Sequence, residues 1–65
     1  MALQSIIINY EDRKLRVEFY ATDDSFEVES IFIIFEQWEA DVTPLIGGEI
    51  FDRIEEQASE DYYAQ

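Results

Sequence analysis

The chain has 65 residues, of which 16 are acidic and four are basic, so its formal net charge at pH 7 is -12. It contains neither histidine nor cysteine, which excludes disulfide bonds, thiol nucleophiles, histidine general bases and the usual zinc sites. A field of this sign repels nucleic acids and anionic membranes. Any macromolecular partner is therefore expected to present a basic surface.

The charge is concentrated in the later part of the chain. Residues 1 to 16 carry a net charge of +1, and residues 17 to 65 carry -13. Hydrophobic residues nevertheless make up 48% of the chain, which is typical of a folded domain rather than of a disordered acidic peptide. We expect one small domain over residues 1–65, with a core so limited that oligomerisation would help to stabilise it.

The beginning of the chain has no basic segment and only a short apolar run. This pattern is neither that of a secretory signal peptide nor that of a membrane span. We therefore expect a cytoplasmic protein.

Alternating apolar side chains predict two strands, over residues 3 to 10 and 15 to 21, which form a hairpin around a polar turn at residues 11 to 14. In the second strand Leu15, Val17 and Phe19 share one face. A further turn, over residues 22 to 25, precedes a third strand over residues 26 to 38.

The third strand changes its pattern along its length. Its first half alternates, whereas from Ile31 to Phe35 both faces are apolar. One interpretation is a β-bulge near Glu29 and Ser30 that exchanges the two faces. The interpretation that we favour is burial on both sides, in which another subunit or a partner covers the face opposite the helix. The predicted homodimer interface consists of Ile7, Ile31, Ile33 and Phe35.

Residues 39 to 41 are predicted to leave the sheet, and Thr43 and Pro44 are typical of a capped helix start with proline at the first position. Gly47 and Gly48 then interrupt the chain before a helix over residues 49 to 62. Its apolar stripe consists of Ile50, Phe51, Ile54 and Ala58. The predicted fold class is α+β, a three-stranded antiparallel sheet followed by one C-terminal helix.

No known catalytic motif is present, so we expect a protein that is not an enzyme and that has no cofactor and no metal site. Paired carboxylates remain a weaker alternative for catalysis. Asp23, Asp24, Glu27 and Glu29 could bind calcium, but the D-x-D-x-D-G loop that calcium sites use is missing.

The acids of the helix occur at spacings of three and four residues, which places them about 4.5 to 6 Å apart along the axis. Successive phosphates of a nucleic-acid strand rise by about 3.4 Å, a distance of the same order. The helix could therefore imitate a row of phosphates. Alternatively, these acids are only the solvated face of an amphipathic helix. The residues are Glu49, Asp52, Glu56 and Glu60.

A second group of acids lies on or beside the third strand, among Phe32, Phe35 and Trp38. In one interpretation the acids attract a basic partner and the aromatic side chains anchor it. In the other, the charges keep sheet edges from pairing with other chains. The residues of this group are Glu27, Glu29, Glu36, Glu39 and Asp41.

This layout resembles that of small acidic phage-encoded inhibitors of the DNA-mimic type, including anti-CRISPR and anti-restriction proteins. The segment from Glu29, Ser30 and Ile31 to Glu36 is similar to the acidic strand of the phage inhibitor of uracil-DNA glycosylase. In that family this strand occupies the DNA-binding groove of the enzyme. The resemblance implies a role in evading host defence.

The sequence thus predicts a non-catalytic inhibitor that uses both groups of acids to bind the basic nucleic-acid-binding surface of a DNA- or RNA-processing or defence enzyme. The protein would not itself bind nucleic acid or membranes. The alternative is a structural or regulatory subunit whose acidity serves solubility. A carboxylate-dependent enzyme or a calcium-binding protein is a weaker third possibility.

Overall fold

The computed structural model describes residues 2–65, which form one antiparallel sheet with a helix on one of its faces. The strands follow one another as neighbours, in the order β1-β2-β3-β4. The elements are β1 (Gln4–Tyr10), β2 (Arg13–Ala21), β3 (Phe26–Phe35), β4 (Trp38–Asp41), a 3-10 turn (Thr43–Leu45) and α1 (Gly48–Tyr63). The α+β class and the single C-terminal helix agree with the prediction.

The predicted three-stranded sheet is wrong, because the stretch taken as one long strand contains a reversal. Glu36 has a positive φ of 31°, and Phe35 pairs with Trp38 across the turn. The chain then returns as β4, so residues 39 to 41 lie in the sheet instead of leaving it. Glu36 and Gln37 carry neither the glycine nor the asparagine that usually indicates a tight hairpin turn.

A β-bulge in β3 explains the unusual pattern of that strand. Phe19 of β2 pairs with Val28, but the adjacent Glu18 pairs with Ser30, so Glu29 is an extra residue in the ladder. The extra residue reverses the alternation. As a result, Val28 and Ile31 both point towards the helix, with 8% and 0% of their surface exposed.

The bulge corrects the predicted dimer interface. Ile31 belongs to the buried core and Ile33 packs against that core, so neither lies on the open face of the sheet. Ile7 alone of the four is strongly exposed on the open face, at 58%, whereas Phe35 stacks on Trp38 at the β3–β4 turn. The four predicted residues therefore do not form one surface.

The core lies between the sheet and α1. Ile54 and Ala58 are the fully buried residues of the helix, and the predicted stripe is otherwise half-buried at Phe51 and 43% exposed at Ile50. Phe19 stacks on Phe26 with the ring centroids 4.5 Å apart. The buried side chains are Ile8, Leu15, Val17, Phe19, Val28, Ile31, Ile54 and Ala58.

The two ends of the helix are held differently. At the C-terminal end the Tyr63 hydroxyl lies 2.6 Å from the carbonyl oxygen of Thr22 and 2.8 Å from that of Ser25, so it fixes the helix to the β2–β3 turn. At the N-terminal end Gly47 is the cap residue, and it offers no side chain to the free amides.

The predicted capping role of Thr43 is wrong. Val42 precedes the 3-10 turn, Thr43 is its first residue and Pro44 its second. The Thr43 hydroxyl instead accepts a hydrogen bond from the backbone amide of Ile31, at 2.8 Å. Thr43 thus connects the segment before the helix to the middle of β3.

No helix within residues 2–65 is long and apolar enough to cross a membrane.

The β1–β2 turn is built from residues that do not favour its conformation. Glu11 and Asp12 have φ values of 48° and 66°, and two consecutive positive values define a type I′ turn, for which Asn-Gly is the preferred sequence. Arg13 and Lys14, predicted as part of the turn, already belong to β2.

We therefore expect the double substitution Glu11→Asn and Asp12→Gly to stabilise the protein by about 1 kcal/mol, because asparagine and glycine adopt positive φ at lower cost. Chemical denaturation of the variant and the parent would measure this difference. A second variant, Glu11→Gly with Asp12→Val, should be less stable than the parent, since the β-branched valine is strained at positive φ. Equal stability of all three proteins would contradict the turn assignment.

Candidate functional site

The helix acids form one continuous surface. Glu49, Asp52, Glu56 and Glu60 are all exposed, and at about 100° per residue they fall within roughly 80° of the helix circumference. That sector lies opposite the one occupied by the buried Ile54 and Ala58. The four carboxylates extend over about 17 Å of the helix axis. We call these four residues the acidic helix face.

Most of the acidic helix face has no cationic neighbour. Arg53 pairs with Glu49 at 2.8 Å, and both side chains are largely exposed, at 61% and 80%, so the pair contributes little stability. The side chains of Asp52, Glu56 and Glu60 make no hydrogen bond or ion pair within residues 2–65. These carboxylates are free to meet a partner's cations.

The acids of the sheet are less available. Glu39 bonds to Arg16, and the Asp41 carboxylate accepts a hydrogen bond from the Thr43 amide at 2.9 Å. Hydrogen bonding from the hydroxyl and the amide of Thr43 holds the pKa of Asp41 below its usual value. Glu27 and Glu29 are exposed, Glu29 as the bulge residue, and Glu36 is exposed in the β3–β4 turn.

The structure does not bring the two predicted groups of acids together. Glu27 and Glu39 lie on the open face of the sheet, because their neighbours in the strands, Val28 and Ala40, point towards the helix. The acidic helix face points away from the sheet on the other side of the molecule. A single flat partner surface could therefore contact one group but not both.

Arg16 lies in the middle of the open face, in a role that was not predicted from the sequence. Its guanidinium lies 4.3 Å from the centroid of the Phe32 ring, bonds to Glu18 at 2.9 Å and bonds to Glu39 at 2.8 Å. The hydrogen bonds to Glu39 and Glu18 raise the pKa of Arg16 above its usual value. The sequence signal for this role is a basic residue with acidic neighbours across the sheet. Recognising that signal requires the register of β4, which the sequence did not show.

Two exposed aromatic side chains stand beside Glu36. The rings of Phe35 and Trp38 stack with their centroids 4.5 Å apart, and 62% of the Trp38 surface is exposed. Phe32, predicted to act with them, instead lies under Arg16. The predicted aromatic anchor is thus reduced to the pair at the β3–β4 turn.

Within residues 2–65, no three acidic side chains are placed to hold a metal ion. Asp23 and Asp24 lie in the β2–β3 turn, where the Thr22 hydroxyl accepts hydrogen bonds from the amides of Asp24 and Ser25.

Comparison of the chain with known protein families, with curated proteins and with solved structures finds no match.

We expect Arg16→Met to destabilise the protein by about 1.5 kcal/mol, because it removes two ion pairs and the contact with Phe32 while keeping the apolar stem. Lys14→Met is the matched control, since Lys14 carries the same charge on the same face of β2 but forms no ion pair within residues 2–65. Urea denaturation would compare the two. Equal destabilisation would show that only net charge matters.

Proposed function

We propose that this protein is a non-catalytic inhibitor that binds the basic nucleic-acid-binding surface of a DNA- or RNA-processing or defence enzyme and competes there with nucleic acid. The observation that carries the proposal is the acidic helix face, four exposed carboxylates in one line with a single cation beside them. The proposal includes a cytoplasmic location, as expected from the sequence.

Rigidity and spacing support this function. The acids are fixed on a helix that is packed on the sheet through Ile54 and Ala58 and held at its end by Tyr63. Binding therefore does not require ordering of the backbone, which would otherwise weaken it. The axial spacing of about 4.5 to 6 Å suits a surface whose cations are arranged to meet successive phosphates.

Charge also distinguishes this helix from an ordinary solvated one. Exposed helix faces usually mix both signs, since pairs of opposite charge four residues apart stabilise a helix. Here Arg53 supplies the single such pair, and the remaining acids repel one another at a cost in stability. A function that requires uniform charge would explain why this cost is retained.

The second candidate is a structural or regulatory subunit, and the exposed Phe35–Trp38 pair favours it. Aromatic side chains of this kind are frequent anchors at protein interfaces. In that case the acids would serve solubility, and a nucleic acid would not compete with the protein.

The test is displacement of fluorescently labelled DNA from purified uracil-DNA glycosylase, a restriction enzyme and a CRISPR nuclease, and from any nucleic-acid enzyme captured from a bacterial lysate. We expect the protein to displace DNA from at least one of them, less effectively as salt rises, because the charges are screened. If the protein binds an enzyme together with DNA, without interference, the subunit interpretation replaces inhibition.

A matched pair of variants locates the surface. Replacing Glu49, Asp52, Glu56 and Glu60 by their amides should weaken binding about thirtyfold, if each ion pair contributes about 0.5 kcal/mol. The control replaces Glu11, Asp12, Asp23 and Asp24 by their amides, which removes the same charge from turns. The control should bind nearly as well as the parent. Equal losses in both variants would show that total charge, rather than the acidic helix face, determines binding.

A further inference from the structure

The outer edge of β1 is an unprotected strand edge. β1 is the first strand of the sheet and has a neighbour on one side only. Its seven residues, Gln4–Tyr10, include no charged residue and no proline, although sheet edges are commonly protected by such residues. The opposite edge, β4, has four residues, two of which are acidic. The two edges of the sheet therefore differ in both length and charge.

The turn geometry shows which backbone groups of β1 point outwards. In a two-residue turn Tyr10 and Arg13 form a hydrogen-bonded pair, and such pairs alternate along an antiparallel ladder. The even-numbered residues of β1 thus bond to β2, and Ser5, Ile7 and Asn9 direct their amides and carbonyls outwards. Independently, the Asn9 carbonyl accepts a hydrogen bond from the Gln57 side chain of the helix rather than from β2.

The outward groups are symmetric about Ile7. An antiparallel copy of β1 centred on this residue would pair Ile7 with Ile7 and Ser5 with Asn9, and would form about six backbone hydrogen bonds. The Asn9 carbonyl can accept a second hydrogen bond, since a carbonyl oxygen has two lone pairs. The exposed Ile7 side chains would then lie next to each other on the open face.

Charge favours a second copy at this edge and nowhere else in the sheet. Arg13, Lys14 and Arg16 pair with β1 from β2, and Arg53 lies one turn before Gln57, the helix residue that borders the edge. All four basic residues of the chain are therefore in the two elements that flank β1. With Glu11 and Asp12, the basic residues of β2 leave residues 1 to 16 at a net charge of +1, against -13 for the rest of the chain, so two copies meet at this edge with less repulsion than at β4.

We propose that the protein forms a homodimer by antiparallel pairing of β1 with β1 of a second copy, centred on Ile7, to give one continuous eight-stranded sheet. A two-fold axis perpendicular to the sheet places both helices on the same side. The two acidic helix faces then form one broader surface. The dimer does not depend on the proposed inhibition.

Sedimentation equilibrium of the full chain tests the proposal. The parent should sediment at twice the chain mass of 7.7 kDa, and Ile7→Lys should raise the dissociation constant about tenfold or more, because like charges directly opposite are unfavourable. Leu45→Lys, at a residue that is 80% exposed and outside the sheet, is the control and should remain a dimer. A monomeric parent, or a dimeric Ile7→Lys variant, would overturn the proposal.

Mixing charge-complementary variants tests the register. Ile7→Glu alone should also dissociate, but an equimolar mixture of Ile7→Lys and Ile7→Glu should restore a heterodimer, since the opposite charges face each other. A mixture that stays monomeric contradicts pairing centred on residue 7.

Amide hydrogen exchange of the parent provides a readout without substitution. The amides of Ser5, Ile7 and Asn9 should be protected at high protein concentration and exchange rapidly on dilution, because the strand register leaves them without a backbone partner within residues 2–65 of one chain. Rapid exchange in a dimer would assign the interface to another surface and overturn the proposal.

Discussion

One extra residue in β3 determines which side chains the helix covers. A single helix can bury only one face of a four-stranded sheet, so the core side chains from both halves of β3 have to lie on that face. Glu29 makes this possible, because the bulge aligns Val28 with Ile31 on the same side. Without it, Val28 and Ile31 would lie on opposite faces of the sheet.

The division of the sheet into a covered face and an open face also accounts for the distribution of charge. The core between the sheet and α1 contains the eight buried side chains found within residues 2–65, all of them apolar. The acids are left to the open face, the turns and the outer side of α1. On the open face Arg16 pairs with Glu18 and Glu39 and covers Phe32. On the helix no comparable cation is present beyond Arg53, so the repulsion there is not relieved.

Much of the fold follows from local sequence pattern. Strict alternation from Leu15 to Phe19 predicts β2, and the apolar spacing from Phe51 to Ala58 predicts α1 and the exposure of its acids. The bulge cannot be distinguished from burial on both sides by sequence, because a change of face and two-sided burial leave the same local pattern of residues. β4 was missed because its four residues are too short to show a period, and the Thr43 hydroxyl bonds to a strand that is distant in sequence.

Both proposals depend on the helix covering the face that carries Val28 and Ile31, and a single-residue deletion measures this most directly. Removing Glu29 leaves a strand in which Phe26, Val28, Ile31 and Ile33 alternate without interruption, so the variant should still unfold cooperatively on heating. Removing Glu18 from the unbulged β2 reverses the faces of half that strand and should abolish cooperative unfolding. If the Glu29 deletion is as damaging as the Glu18 deletion, the bulge does not assign the faces and the account is wrong.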